Sequence, residues 1–155
     1  MFTVSENKEA GQKIYNLMDE LFPICRSITG NGVRQTLRRL QEIVPLKMVE
    51  VPSGTKAFDW TVPDEWNIRD AYVIAPNGEK IIDFKKSNLH VVGYSTPIRK
   101  KMRLSELKAH LYSEPERPDV IPFRTSYYKR DWGFCLPHNQ LRNLREGEYE
   151  VVIDS

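Results

Sequence analysis

The residues of this chain best suited to chemistry fall in two stretches. Arg26-Ser27-Ile28-Thr29-Gly30-Asn31-Gly32 sits just before a helical pattern, where free backbone N–H groups and the positive end of a helix dipole could hold an anion or a substrate carboxylate. The alternative is that Thr29 or Asn31 caps the helix and the glycines turn the chain. Arg26 separates the two: aimed into a cleft it can grip a carboxylate in a fork, and splayed on the surface it leaves the loop structural. The second stretch is Tyr127-Tyr128-Lys129-Arg130-Asp131-Trp132-Gly133-Phe134. Its rings can line a pocket for an amino group or side chain, with tyrosine hydroxyls fixing orientation. Alternating rings in a strand equally serve half as core and half as surface. The candidate cleft residues are Arg26, Ser27, Thr29, Asn31, Tyr127, Tyr128 and Trp132.

Metal and nucleophile signals are weaker. Cys135 and His138 stand three apart, half of a zinc site, but no second Cys/His pair completes four ligands. His90 and His110 fall in an expected strand and an expected helix. No metal ligand is therefore assigned in this chain. Cys25 and Cys135 lie far apart and read as reduced, buried thiols, since neither carries a nucleophile motif around it. Asp59, Asp64, Glu65, Asp70 and Asp83 could do acid or base work, yet no pair is distinguished by spacing. With no phosphate loop, dinucleotide fingerprint, serine elbow or His-Glu-x-x-His helix, no catalytic residue is assigned.

Composition narrows the partners. A chain of 155 residues with 40% apolar and 28% charged residues can bury a core. The net charge of +2 comes from 23 basic and 21 acidic residues interspersed along the chain, which argues against a nucleic-acid or anionic-membrane binder. No stretch approaches the roughly 18–20 apolar residues of a membrane span, and the first residues are polar and acidic where a signal peptide would be basic and then apolar. The expected location is the cytoplasm.

Helices and strands must position these stretches. Ile14, Leu17, Met18, Leu21 and Phe22 recur at helical spacing after a cap at Ser5 or Asn7, and Pro23 ends the run. Val33, Leu37, Leu40 and Val44 mark a second helix closed by Pro45. A strand is expected from Leu46 through Met48 to the valines around Glu50. A hairpin is expected from Ala71–Ala75 and Lys80–Phe84 around Asn77-Gly78. Further expectations are a strand over Leu89–Tyr94, a helix over Ser105–Tyr112, and a solvated strand edge at Arg99-Lys100-Lys101-Met102-Arg103. An extended aromatic segment over Thr125–Leu136, a short helix within Pro137–Leu144 and a strand at Tyr149–Ile153 complete the pattern. The fold class is α+β. The last strand needs a neighbour for its backbone and its apolar side chains, so the chain reads as the front part of something larger and the strand as an edge open to self-association.

Two long blocks carry a resemblance: Leu21-Phe22-Pro23-Ile24-Cys25-Arg26-Ser27-Ile28-Thr29-Gly30-Asn31-Gly32-Val33-Arg34, and Thr125-Ser126-Tyr127-Tyr128 through Trp132-Gly133-Phe134-Cys135-Leu136 to Glu148-Tyr149-Glu150-Val151-Val152-Ile153-Asp154. With Val51-Pro52-Ser53-Gly54-Thr55 and Phe58-Asp59-Trp60 between them, the chain resembles the N-terminal part of bacterial aminopeptidase-like zinc hydrolases. The resemblance implies an α/β zinc-peptidase domain interrupted early by a β-rich insert and followed by a winged-helix module. On that pattern residues 1–45 are the helical part of the peptidase domain, 46–112 the insert, and 113–155 a linker and return to the peptidase domain. It also implies that the metal ligands lie after the terminal strand, so zinc belongs to the complete protein and none is expected in this chain.

The expected function is that of an N-terminal fragment of such a hydrolase. The complete form would act on a peptide-like small substrate, and this segment alone would be inactive. The alternative is a non-catalytic module that recognises a peptide, a glycan or a partner chain.

Overall fold

The computed structural model describes the backbone of residues 4–155 and the side chains of residues 8–155. Helices and strands take comparable shares, 27% and 22%, which makes the fold class α+β as expected. Contacts divide the chain into two units, Met1–Glu65 and Trp66–Ser155.

The first unit holds two helices and one small hairpin: α1 (Val4–Leu21), α2 (Asn31–Gln41), β1 (Lys56–Ala57) and β2 (Trp60–Thr61). Helix α1 already includes Ser5 and Asn7, so neither is its cap. Its periodic face does not become core within the unit: Ile14, Met18 and Phe22 are 60%, 64% and 74% exposed. Among the described residues of this unit only Gly30 and Thr36 are buried. Residues 46–51 do not form the expected strand. The β1–β2 pair forms instead, with Lys56 opposite Thr61 and Ala57 opposite Trp60. Val49 and Val51 have strand-forming side chains, but the segment between Pro45 and Pro52 has no neighbouring strand among the described residues to pair with, and both valines stay exposed.

The second unit holds β3 (Asp70–Ile74), β4 (Lys80–Asp83), β5 (Ile98–Arg103), α3 (Leu104–Leu107), β6 (Leu111–Tyr112), β7 (Phe134–Cys135), α4 (His138–Arg142) and β8 (Glu148–Asp154). The β3–β4 hairpin forms where Asn-Gly demands it. Gly78 adopts the left-handed region at φ 83°, and Asn77 Oδ1 accepts the Glu79 N–H at 3.1 Å. The main sheet is antiparallel in the order β4-β3-β8-β5. Tyr72 pairs with Val152 on one side of β8, and Lys100 with Val151 on the other.

That order corrects the expectation of an open terminal strand. β8 is bonded on both edges, and Tyr149, Val151, Val152 and Ile153 are at most 2% exposed. The neighbours the strand requires come from its own chain, and the sheet's outer strands are β4 and β5. The basic run of β5 lies on one of these edges, as expected, with only Met102 buried.

Two further elements differ from expectation. Residues 89–94 form a 3-10 turn at Asn88–His90 and two isolated bridges, Val91 to Phe134 and Gly93 to Thr125. Tyr94 there sits at φ 67°, which takes the backbone out of the extended region a continuous strand needs. The expected helix over Ser105–Tyr112 is α3 followed by a 3-10 turn at Lys108–His110, and then β6 pairs in parallel with β7. Its periodic residues Leu104, Leu107 and Leu111 are still buried together with Ala71, Val73, Ile82, Phe134 and Leu136.

Packing of this kind gives a clear stability contrast. Leu104→Ala, at a site with no exposure, is expected to cost about 2–5 kcal/mol in urea unfolding. Phe58→Ala, at a fully exposed site, should change stability by less than about 0.5 kcal/mol.

Candidate functional site

The loop before α2 is built as a turn. Arg26 Nη1 donates to the Leu21 carbonyl at 2.6 Å and so closes the C-terminal end of α1. Ser27 Oγ donates to the Thr29 carbonyl at 2.6 Å and accepts the Thr29 N–H at 3.3 Å. Neither Thr29 nor Asn31 occupies the cap position of α2. The cap position is Gly30, at φ 92°, with no side-chain cap bond, and Asn31 is the first helical residue. Gly32 is required by close approach, because a Cβ there would run into the Cys25 carbonyl.

Arg34, which sequence reasoning passed over, is paired with two carboxylates of this unit. Its guanidinium donates to both Glu65 carboxylate oxygens at 2.7 and 2.6 Å, and to Glu50 at 2.9 Å. These bonds hold Arg34 even more firmly protonated than usual. The arginine and its partners Glu50 and Glu65 form part of the wall of a groove of about 690 Å³ whose lining also includes the apolar residues Val33, Leu37, Val51 and Trp60. A basic residue one turn into a helix carries no signal that would distinguish it from a solvated one.

The aromatic candidates come together in the second unit. Tyr127, Tyr128 and Trp132 line one cleft of about 260 Å³, joined by Tyr112, Arg124, Lys129 and Asp131. Trp66 stacks on Tyr94 with centroids 5.6 Å apart. Tyr94 meets Tyr127 edge-on at 5.0 Å, and Tyr127 meets Tyr128 edge-on at 4.7 Å. Trp132 stacks on His110 at 3.7 Å and leans edge-on toward the core ring of Phe134. Arg26, Ser27, Thr29 and Asn31 belong to the first unit and these rings to the second.

Backbone bonds strap the cleft's loop to the body of the unit. Val92 N–H donates to Gly133 at 3.0 Å, Thr96 N–H to Asp131 at 2.9 Å, and Gly93 N–H to Arg124 at 2.9 Å. Ser95, fully buried, accepts the Gly133 N–H through Oγ and donates from Oγ to the Val92 carbonyl at 2.6 Å. Gly133 has to be glycine: a Cβ would stand 2.7 Å from the Tyr112 ring and 2.9 Å from the His110 carbonyl.

Charge in the cleft is set by three side chains. Asp131 accepts from Lys129 Nζ at 2.8 Å and from the Trp132 N–H at 2.9 Å. Those two bonds hold its carboxyl below its ordinary value of 3.8. The Arg124 guanidinium lies 5.7 Å from the centre of the Tyr112 ring, and no carboxylate among the described residues forms an ion pair with it. Tyr112, Arg124 and Asp131 were not singled out from the sequence. The signal for Arg124 was its place directly before the Thr125-Ser126-Tyr127-Tyr128 block.

The histidines are each engaged locally and separately. His90 Nδ1 meets the Cys135 carbonyl at 2.8 Å, His110 Nδ1 the Trp132 carbonyl at 3.0 Å, and His138 Nδ1 the Ser113 hydroxyl at 2.9 Å. Cys25 and Cys135 are free thiols, half-buried and buried. Burial raises both, Cys135 to about 11. Among the described residues no three His, Cys, Asp or Glu side chains converge, so the donor set does not fit a zinc site and no chemistry is routed through a metal here.

Two measurements test this arrangement of thiols and carboxylate. Ellman's reagent at neutral pH should titrate at most Cys25 in the folded chain and both thiols after unfolding. The two bonds to Asp131 should be complete above its ordinary value of 3.8 and be lost only as pH falls through the lower folded value. An acid-limb change in the near-ultraviolet signal of Trp132 should therefore be present in the native chain and absent in Asp131→Asn.

Among the described residues no helix is long and apolar enough to cross a membrane. The chain is 57% identical over 152 residues, 98% of its length, to a Clostridium acetobutylicum protein named "Putative polysaccharide biosynthesis protein with aminopeptidase-like domain". It is also similar to the crystal structure of a "putative peptidase" from the same organism, with a TM-score of 0.91 and 59% identity over 94% of this chain. The chain spans 35% of the length of each. Residues 65–155, the second unit almost to the residue, match the model of a domain of unknown function. By that match, which covers more than half of its length, the chain belongs to the family of the domain of unknown function DUF2172.

Proposed function

We propose that this chain is the N-terminal part of a cytoplasmic, aminopeptidase-like zinc hydrolase, in which it contributes walls of the substrate cleft. Peptide or amide bond hydrolysis is the reaction of the complete protein. Zinc is its cofactor, held by residues outside this chain. The carrying observation is the 57% identity over nearly the whole chain to a protein named for an aminopeptidase-like domain. The exposed apolar face of α1 supports it: Ile14, Met18 and Phe22 repeat at core spacing, yet the first unit offers them no covering layer. A second reading, a non-catalytic module for a peptide, glycan or partner chain, is favoured by the aromatic cleft of the second unit.

The test is a chimera in which this chain replaces the matching 35% of the Clostridium acetobutylicum relative. Zinc-dependent cleavage of aminoacyl nitroanilides by the chimera, with none by this chain alone, is the expected result. Calorimetry should find no stoichiometric zinc uptake by the isolated chain. Hydrolysis by the isolated chain with its own bound zinc would overturn the division of labour. A chimera and a parent relative that bind a ligand but cleave nothing would favour the binding module.

A further inference from the structure

We infer that the cleft of the second unit is a binding site for a small carboxylate carried beside a ring-sized face, with Arg124 as the carboxylate anchor and the rings of Tyr112, Tyr127, Tyr128 and Trp132 as the surrounding walls. The inference goes beyond the hydrolase reading, because binding here needs neither a metal nor cleavage.

Charge is the first argument. The cleft is lined by two cations, Arg124 and Lys129, and one anion, Asp131. Asp131 is taken by Lys129 at 2.8 Å and by the Trp132 N–H, so that pair is close to neutral. Arg124 is left with a tyrosine ring as its neighbour and with no carboxylate partner among the described residues. A guanidinium beside an aromatic face keeps its planar fork of donors free for a planar acceptor, and a carboxylate matches that fork with two parallel bonds.

Shape and exposure supply the second argument. At about 260 Å³ the cleft lies just below the roughly 300–1,000 Å³ of ligand sites, which suits a single-ring ligand rather than a long chain. Tyr128 is 89% exposed and so contributes little to the core. Its ring is nevertheless held edge-on by Tyr127, which Tyr94 supports in turn. Such a platform gives a ligand flat contact area without an ordering cost at binding.

Rigidity is the third argument. The backbone of Arg124 is fixed by the Gly93 N–H, that of Asp131 by the Thr96 N–H, and that of Gly133 by Ser95 and Val92. The anchor, the salt-bridged aspartate and the rings of Tyr127, Tyr128 and Trp132 are thus mounted on one strapped loop, and Tyr112 is held beside it by the pairing of β6 with β7, which is the arrangement a preorganised site requires.

Two sources present the same chemistry: a sugar acid, and the free C-terminus of a peptide bearing a ring. The test titrates the full 155-residue chain by calorimetry with two matched pairs, glucuronate against glucose and N-acetylphenylalanine against its amide. At least one acid should bind saturably, with its neutral partner weaker by about tenfold or more, as loss of a charged hydrogen-bond pair requires. The stronger acid identifies the source, and either one upholds the inference. Arg124→Gln should abolish the acid preference, Arg124→Lys should restore part of it, and Lys100→Gln on β5 should leave it unchanged. Three results would overturn the inference: equal binding of acid and neutral partner by the native chain, no binding of either acid up to about 10 mM, or an intact preference in Arg124→Gln. Because the native acid-against-neutral comparison stands without any variant, a folding defect in Arg124→Gln leaves the inference open to refutation. Failure here would leave the chimera's hydrolysis untouched, and the two readings fail separately.

Discussion

In the four-stranded sheet β3 and β5 are not paired with each other, and β8 joins them by bonding to both along nearly its whole length. Its side chains also close the core, with Tyr149, Val151 and Ile153 packed among the residues of β3, α3 and β7. Each such burial is worth about 1.5–3 kcal/mol at most relative to exposure. Tyr149 keeps its hydroxyl satisfied at the Arg145 carbonyl, 2.7 Å away, so the largest buried side chain brings no orphaned polar group with it. Without this strand the β3–β4 hairpin and β5 would be two fragments with bare edges.

The aromatic cleft depends on that sheet at one remove. Phe134 belongs to the core, and its neighbour Trp132 rests against it edge-on. Ser95 bonds to both sides of the strapped loop from a fully buried position, and its carbonyl accepts from Trp66 and from Ser155 just past β8. The rings thus inherit their positions from the sheet through a few buried polar bonds, which tolerate little displacement in a low-dielectric interior.

What could be read from the sequence followed local chemistry. The Asn77-Gly78 hairpin, the short helix after Pro137 and the burial of Leu104, Leu107 and Leu111 are decided within a few residues, by turn geometry or helical spacing. Residues 46–51 and 89–94 have strand-like sequences without forming strands, because a strand exists only if a partner ladder does, and partner identity is set far along the chain. The same holds for β8, whose apolar run announced a strand but not that both neighbours lay earlier in the same chain. For the site, Tyr127, Tyr128 and Trp132 were legible as a cluster of ring types. Arg124 and Tyr112 were not, because their meeting at 5.7 Å depends on the β6–β7 pairing. Arg26 and Arg34 show the same limit: both are arginines near one loop, and only the fold assigns one to a helix end and the other to Glu65.

The placement of β8 bears on how the protein is made. Asp70 of β3 waits for Asp154, and Ile74 for Glu150, across more than seventy residues of intervening chain. As the polypeptide emerges from a ribosome in order, the hairpin, β5 and α3 all appear before the strand that unites them. Their unpaired rims and uncovered leucines therefore depend on the nascent chain staying unentangled until then, and the basic residues Arg99, Lys100, Lys101 and Arg103 on β5 are well suited to repel a neighbouring copy during that interval.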